Sequence, residues 1–243
     1  VQLSLFDQVT DTNVRNLNPL QPHRRTGLKL LDLFCCQGGA TRGYQLAGFN
    51  VTGVDLHPQP RYCGDNFHQA DAIAFLRSNM DWIRREFVAV SASPPCQRFT
   101  NAQRIQAREH PDLIEPTRAL LIELGLPYVI ENVEGAPLRK PITLCGTNFG
   151  LRTYRHRLFE LGNGFEIAPL PHAPHGQPTV KMGRPLVTGD FYHAVGNFSN
   201  VDYVRRDMGM AWASREGIRE AVPPAYTAHL GAALLDHIHA VAA

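Results

Sequence analysis

Apolar residues in this chain fall into short runs whose period changes along the sequence. "LKLLDLF" (28–34), "NVTGVDL" (50–56), "EFVAVSAS" (86–93) and "YVIENV" (128–133) are near-continuous apolar stretches of strand length. Runs that short, without strict alternation, predict strands buried on both faces. Between them the spacing becomes helical, in "GATRGYQLAG" (39–48), "DAIAFLRSNMDWIRREF" (71–87) and around "EPTRALLIELG" (115–125). Strands alternating with helices predict an α/β fold with a doubly wound, mostly parallel sheet, in which ligands bind beyond the carboxyl ends of the strands.

Two segments carry neither period. Residues 1–25 are polar and asparagine-rich and are expected to form a flexible tail ahead of a single domain spanning 26–243. Residues 162–200 include "GNGFEIAPLPHAPHGQPTVKMGRP", rich in Pro, Gly and His, and predict a loop-built excursion. After it, "REAVPPAYTAHLGAALLDHIHAVAA" returns to an apolar helix behind a Pro-Pro start.

Composition narrows the function classes. No apolar run among the 243 residues approaches membrane-spanning length, and the first residues lack the basic-then-apolar order of an export signal, so a cytoplasmic location is expected. The five cysteines are scattered and include no C-x-x-C pair, which predicts free thiols and no metal site. A net charge of +2 excludes a generic polycation. Yet of 24 basic residues only Lys29, Lys140 and Lys181 are lysines, and the arginine fork suits phosphates and base edges.

Candidate chemistry lies at the predicted strand ends. Pro94 and Pro95 stop the third apolar run and present Cys96 on a stiff loop, a suitable mounting for a nucleophile and also a common loop arrangement. Asp55 ends the second run, where a carboxylate can take ribose hydroxyls. Asp71 stands where it could accept from an adenine amine or cap the helix that follows. Glu131 sits among apolar residues, which raises a carboxyl pKa and suits proton donation. In "LRTYRHRLFE", alternation would put Arg155 and Arg157 on one face of a strand.

Taken in order, "DLFCCQGG", "VDL", Tyr62 with Asn66 and Phe67, Asp71, "PPCQ", "ENV", "LCGTNFGL", "RTYRHRLF" and "EAVPPAY" resemble the motif blocks of the cytosine-5 DNA methyltransferase family, over residues 28–237. The resemblance implies a short bacterial or phage-type member that transfers a methyl group from S-adenosylmethionine to C5 of a flipped-out cytosine in double-stranded DNA. Cys96 would be the nucleophile that adds to C6, Glu131 the group at N3, and Arg157 with Arg155 the hold on the O2 edge. Asp32, Phe34, Cys35, Gly38, Gly39, Asp55, Leu56, Asp71 and Pro94 would line the cofactor site. Gln97, Arg98, Arg104 and Arg108 would contact DNA from the loop after the nucleophile, with 162–200 as a reduced target-recognition region.

The chain departs from the family pattern in particular places. Cys36 stands where a glycine is usual, Thr153 where a glutamine is usual, and Glu220 where an asparagine is usual. Two other readings keep the fold: a tRNA cytosine-5 methyltransferase, and a catalytically silent DNA-binding relative. Self-protection, restriction partnership and phage genome masking all fit the resemblance, and a monomer is expected. In the tail, Gln2, Leu3, Ser4, Leu5 and Phe6 resemble the peptide with which bacterial polymerases and repair proteins grip the DNA sliding clamp, an expected second partner.

Overall fold

Leu30 and Leu31 are adjacent in the chain and face different hydrophobic cores, which places their strand inside a sheet covered on both sides. The computed structural model describes residues 25–95, 112–172, 174–175, 179–180, 190–194 and 198–242. The tail with its clamp-like peptide, Cys96, Gln97, Arg98, Arg104, Arg108 and part of the 162–200 excursion lie outside the described residues.

The central sheet holds β1 (Lys29–Leu33), β2 (Asn50–Asp55), β3 (Asn66–Gln69), β4 (Ala89–Ala92), β5 (Tyr128–Asn132), β6 (Ile142–Leu144) and β7 (Arg157–Gly162). Their order is β3-β2-β1-β4-β5-β7-β6. The strands from β3 to β5 pair in parallel, while β7 runs antiparallel between β5 and β6. The expected α/β class and doubly wound, mostly parallel sheet are both present.

Period-two alternation sorts the strand residues between two cores. Leu30, Val51, Ala89 and Val129 pack with Tyr44 and Ala47 of α1 (Gly39–Ala47) and with Tyr226, Leu230 and Leu234 of α6 (Pro224–Ala242). Leu31, Leu33, Val54, Val90 and Ile130 pack with Leu76 and Ile83 of α2 (Ala72–Glu86) and with Leu120, Leu121 and Leu124 of α3 (Ile114–Leu124). α1 approaches α6 closely because Gly43 has no side chain: a Cβ there would lie 2.0 Å from Thr227 Oγ1 and 2.2 Å from the Pro224 carbonyl. In that space the Thr227 hydroxyl donates to the Ala40 carbonyl at 2.8 Å.

A smaller third core gathers Tyr192, Phe198, Val204, Met208, Met210, Ala213 and Ile218. It packs α4 (Val201–Asp207) and α5 (Arg215–Glu220) beside the paired strands β8 (Thr179–Val180) and β9 (Phe191–Tyr192). Tyr192 donates its backbone N–H to the Arg152 carbonyl, and Tyr154 donates to the Tyr192 carbonyl, so β9 is fastened to the segment leading into β7.

Candidate active site

The carboxyl ends of β1, β2, β4 and β5 open to one side of the sheet, where antiparallel β7 begins at Arg157. Glu131 and Arg157 meet there. Glu131 lies opposite Phe159 on β7, so Arg157, two residues earlier, shares its face as a diagonal neighbour. Arg157 Nε is 2.9 Å from Glu131 Oε1, and both side chains are largely buried. Burial pushes the Glu131 carboxyl above its ordinary range, against the opposing charges of Arg157 and Arg155. A carboxyl held this way keeps a proton to higher pH while remaining hydrogen-bonded.

The next residue, Asn132, ties β5 to β4. Its side-chain amide donates to the Pro94 carbonyl at 2.9 Å, and its Oδ1 accepts from the Val133 N–H at 2.9 Å. Pro94, two residues before Cys96 in the sequence, is therefore anchored by the residue that adjoins Glu131.

Arg155 differs from expectation. It lies ahead of β7, and its guanidinium is buried against three carbonyls: Ala221 at 2.7 Å, Ala194 at 2.9 Å and Arg219 at 2.6 Å. Its own carbonyl accepts from Tyr226 Oη at 2.6 Å. Arg155 thus knits the end of α5 and the excursion to the sheet, while its charge acts on Glu131 together with that of Arg157. Strand alternation misplaced Arg155 because the strand starts two residues later.

Around the glycine turn the backbone is sharply bent. Phe34 and Cys36 take φ of 58° and 45°, in the left-handed region that L-residues other than glycine seldom adopt. Asp55 braces this turn, with Oδ2 accepting from the Cys36 N–H at 2.9 Å and Oδ1 from the His57 N–H at 3.0 Å. The carboxylate read as a ribose ligand is thus first of all a clamp on the loop, with one lone pair left on each oxygen. Leu56 follows it and is 57% exposed, a large apolar side chain standing in solvent at the strand end.

Asp32 is fully buried beneath the turn. Thr41 Oγ1 donates to its Oδ2 at 2.6 Å, and burial, opposed by that bond, pushes the carboxyl up to about 7. Gly38 caps α1 in the left-handed conformation, and no side chain caps the helix start. A Cβ on Gly38 would press to 2.7 Å from Cys63 Sγ, and one on Gly39 to 2.5 Å from the Val222 carbonyl. Asp71 caps α2 by accepting from the Ala74 N–H at 2.8 Å, so the capping alternative is the one with a visible partner.

Cys36 Sγ points to Glu220, 3.9 Å from Oε2. The two departures from the family pattern therefore face each other. Burial first, then the neighbouring carboxylates, push the Cys36 thiol up, and burial does the same to Cys35 and Cys63. These three thiols are poorly suited to act as thiolates.

Contacts made by Gln37 escaped the sequence reading. Its carbonyl accepts from Trp212 Nε1 at 2.8 Å, its Oε1 from the Ser214 N–H at 2.8 Å, and its Nε2 donates to Ser214 Oγ at 3.0 Å. The turn is thereby fastened to the segment ahead of α5. No local pattern marks a glutamine for contacts so far along the chain.

No protein-family model and no curated protein matches this chain. Among solved structures, the S. pombe Dnmt2 methyltransferase aligns over 87% of this chain and 99% of its own, with TM-score 0.56 and 15% identity. A SAM-dependent methyltransferase from Agrobacterium tumefaciens aligns over 43% of this chain and 38% of its own, with TM-score 0.27 and 20% identity. The first likeness covers nearly the whole chain and establishes the fold shared with that methyltransferase.

Proposed function

We propose that the chain is a DNA cytosine-5 methyltransferase that uses S-adenosylmethionine and Cys96. The observation that carries this reading is the buried Glu131–Arg157 pair, set one residue from the Asn132 bond that anchors Pro94, two residues ahead of Cys96 in the sequence. The fold it shares with the S. pombe methyltransferase supports it. The ordered motifs, and the absence of the Cys-Phe-Thr tripeptide of the RNA enzymes, favour DNA over tRNA.

The residues present fit the cofactor. The uncapped start of α1 offers backbone N–H groups to a carboxylate, exposed Leu56 offers an apolar surface to a base, and Asp55 retains acceptor capacity beside it. Bound there, S-adenosylmethionine supplies an electrophilic methyl group. Cytosine C5 is a weak nucleophile, and the thiolate of Cys96 activates it by adding to C6. Glu131 donates to N3 as negative charge develops on the ring, and Arg157 holds the carboxyl in place. After transfer a water or hydroxide removes the C5 proton, Cys96 leaves as thiolate, and the N3 proton returns to Glu131. A base stacked in a duplex cannot be reached this way, so it must be flipped out, and Arg98, Arg104 and Arg108 suit the phosphates of the opened site.

The test is covalent trapping. Duplex DNA carrying 5-fluorocytosine, incubated with protein and S-adenosylmethionine, should form a complex stable to denaturation, because fluorine cannot leave as a proton does. Cys96→Ser should abolish it. Trapping on 5-fluorocytosine RNA alone would overturn the DNA assignment, and trapping that survives Cys96→Ser would overturn the nucleophile.

A further inference from the structure

Beside Arg157, but apart from its contact with Glu131, four side chains converge that no expected motif had linked. Cys145 follows β6 and is fully buried, His156 lies between Arg155 and Arg157, and His172 and His175 come from the proline-rich loop. One ligand atom from each lies within 4.8 Å of all the others. His156 Nε2 stands 3.2 Å from His172 Nε2 and 2.9 Å from His175 Nε2, and Cys145 Sγ is 3.9 Å from His175 Nε2.

We propose that Cys145, His156, His172 and His175 form a four-coordinate structural zinc site. Zinc binds imidazole nitrogen at about 2.0–2.1 Å and thiolate sulfur at about 2.3 Å, so a tetrahedral site sets its nitrogens about 3.3 Å apart and sulfur about 3.6 Å from nitrogen. The N–N distances of 2.9 and 3.2 Å and the S–N distance of 3.9 Å lie within about 0.4 Å of those spacings, and all four ligand atoms are within 4.8 Å of one another. Hydrogen bonds alone do not account for it, because one Nε2 carries either a proton or a lone pair, and His156 Nε2 faces two other Nε2 atoms at bonding distance. A cation at the centre satisfies all three lone pairs and the thiolate together.

The surroundings match a metal site. Glu134 Oε1 is 3.6 Å from His156 Nδ1, on the side of the ring away from the cluster, where a carboxylate orients a metal-binding imidazole. Asn148 joins two of the ligand segments: its backbone N–H donates to the Cys145 carbonyl at 3.0 Å, its Oδ1 accepts from the Cys145 N–H at 2.8 Å, and its Nδ2 donates to the Pro171 carbonyl at 2.9 Å, next to His172. Three imidazoles with one thiolate suit zinc, and four protein ligands leave no open position for catalysis. The metal would staple a loop poor in buried apolar residues to the sheet, one residue from Arg157. The ligands span thirty residues and include no C-x-x-C pair, so the expectation of no metal rested on a pattern this site does not use.

The site stands independently of the reaction assigned to Glu131 and Cys96. The 243-residue protein, produced with zinc and passed through desalting, should contain about one zinc per chain by plasma mass spectrometry. His172→Ala with His175→Ala, chosen because His172 is exposed and neither residue lies in the folded core, should lower this to about a tenth or less while the circular dichroism of the sheet persists. Cobalt-loaded protein should show visible bands of tetrahedral coordination with a sulfur charge-transfer band that Cys145→Ser removes. Wild-type protein without stoichiometric zinc, or a double variant that retains it, would overturn the site. Stoichiometric uptake of another metal in preference to zinc would overturn the choice of zinc.

Discussion

Asn132 Nδ2 donates to the Pro94 carbonyl at 2.9 Å, joining the ends of two parallel neighbours, β5 and β4, two residues ahead of Cys96 in the sequence. The bond is buried, and the same side chain accepts from Val133. Asn132→Ala strands a carbonyl and an N–H together. It should cost about 1–3 kcal/mol in urea unfolding and slow covalent trapping more than it weakens cofactor binding. A stability loss with trapping kinetics unchanged would show that the bond serves the fold alone.

Glu131→Gln keeps the shape and removes the titrating proton. Under the proposed reaction it should lower the methylation rate by about 10² or more and leave cofactor affinity nearly intact. Burial raises this carboxyl, so its protonated form persists to higher pH, and wild-type activity should decline as pH rises through the raised value. A glutamine variant showing that same alkaline decline would assign it to another group.

Asp32 makes a separate, stability-based prediction. Its carboxyl titrates near 3.8 in an unfolded chain and at about 7 in the fold. Between those values the folded state holds a proton that the unfolded state lacks, so stability falls as pH rises through the window. The integrated effect is on the order of 4 kcal/mol. Asp32→Asn should remove this slope, making the variant's advantage over wild type grow from pH 5 to pH 7.5 in urea titrations. Parallel curves would mean that the carboxyl titrates normally.

The strands buried on both faces were legible because nothing else produces "LKLLDLF" or "YVIENV" between helical periods. The edge strand β3 was not, since Asn66–Gln69 is mostly exposed and needs no apolar pattern. Glu131 stood out by its apolar neighbours and Arg157 by strand alternation, but their pairing across β5 and β7 left no mark in the sequence. Arg155 could not be placed, since the carbonyls it binds lie at Ala194, Arg219 and Ala221, and a contact so distant in sequence leaves no periodic trace. The Cys145–His175 cluster was hidden for the same reason.

The strand that carries Arg157 is held from its other side by a buried ion pair. Glu160 accepts from Arg118 Nε at 2.7 Å and from its second terminal nitrogen at 2.7 Å, and also from the Arg139 N–H and the Tyr128 hydroxyl. Arg118 further reaches Glu115 and the Pro137 carbonyl, so α3, the turn before β6 and β7 meet at one guanidinium. Burial alone would raise the Glu160 carboxyl, but the Arg118 and Arg139 bonds hold it below its ordinary range. That contribution is present above the unfolded value and is lost as pH falls through the depressed one, which predicts acid sensitivity. Arg118→Met leaves a buried carboxylate with its charge uncompensated and should cost about 3–5 kcal/mol at neutral pH. Adding Glu160→Leu removes the stranded charge and should recover much of that loss. Urea unfolding of the two single variants and the double variant measures the coupling directly, and additive losses would show that the pair does not act as a unit.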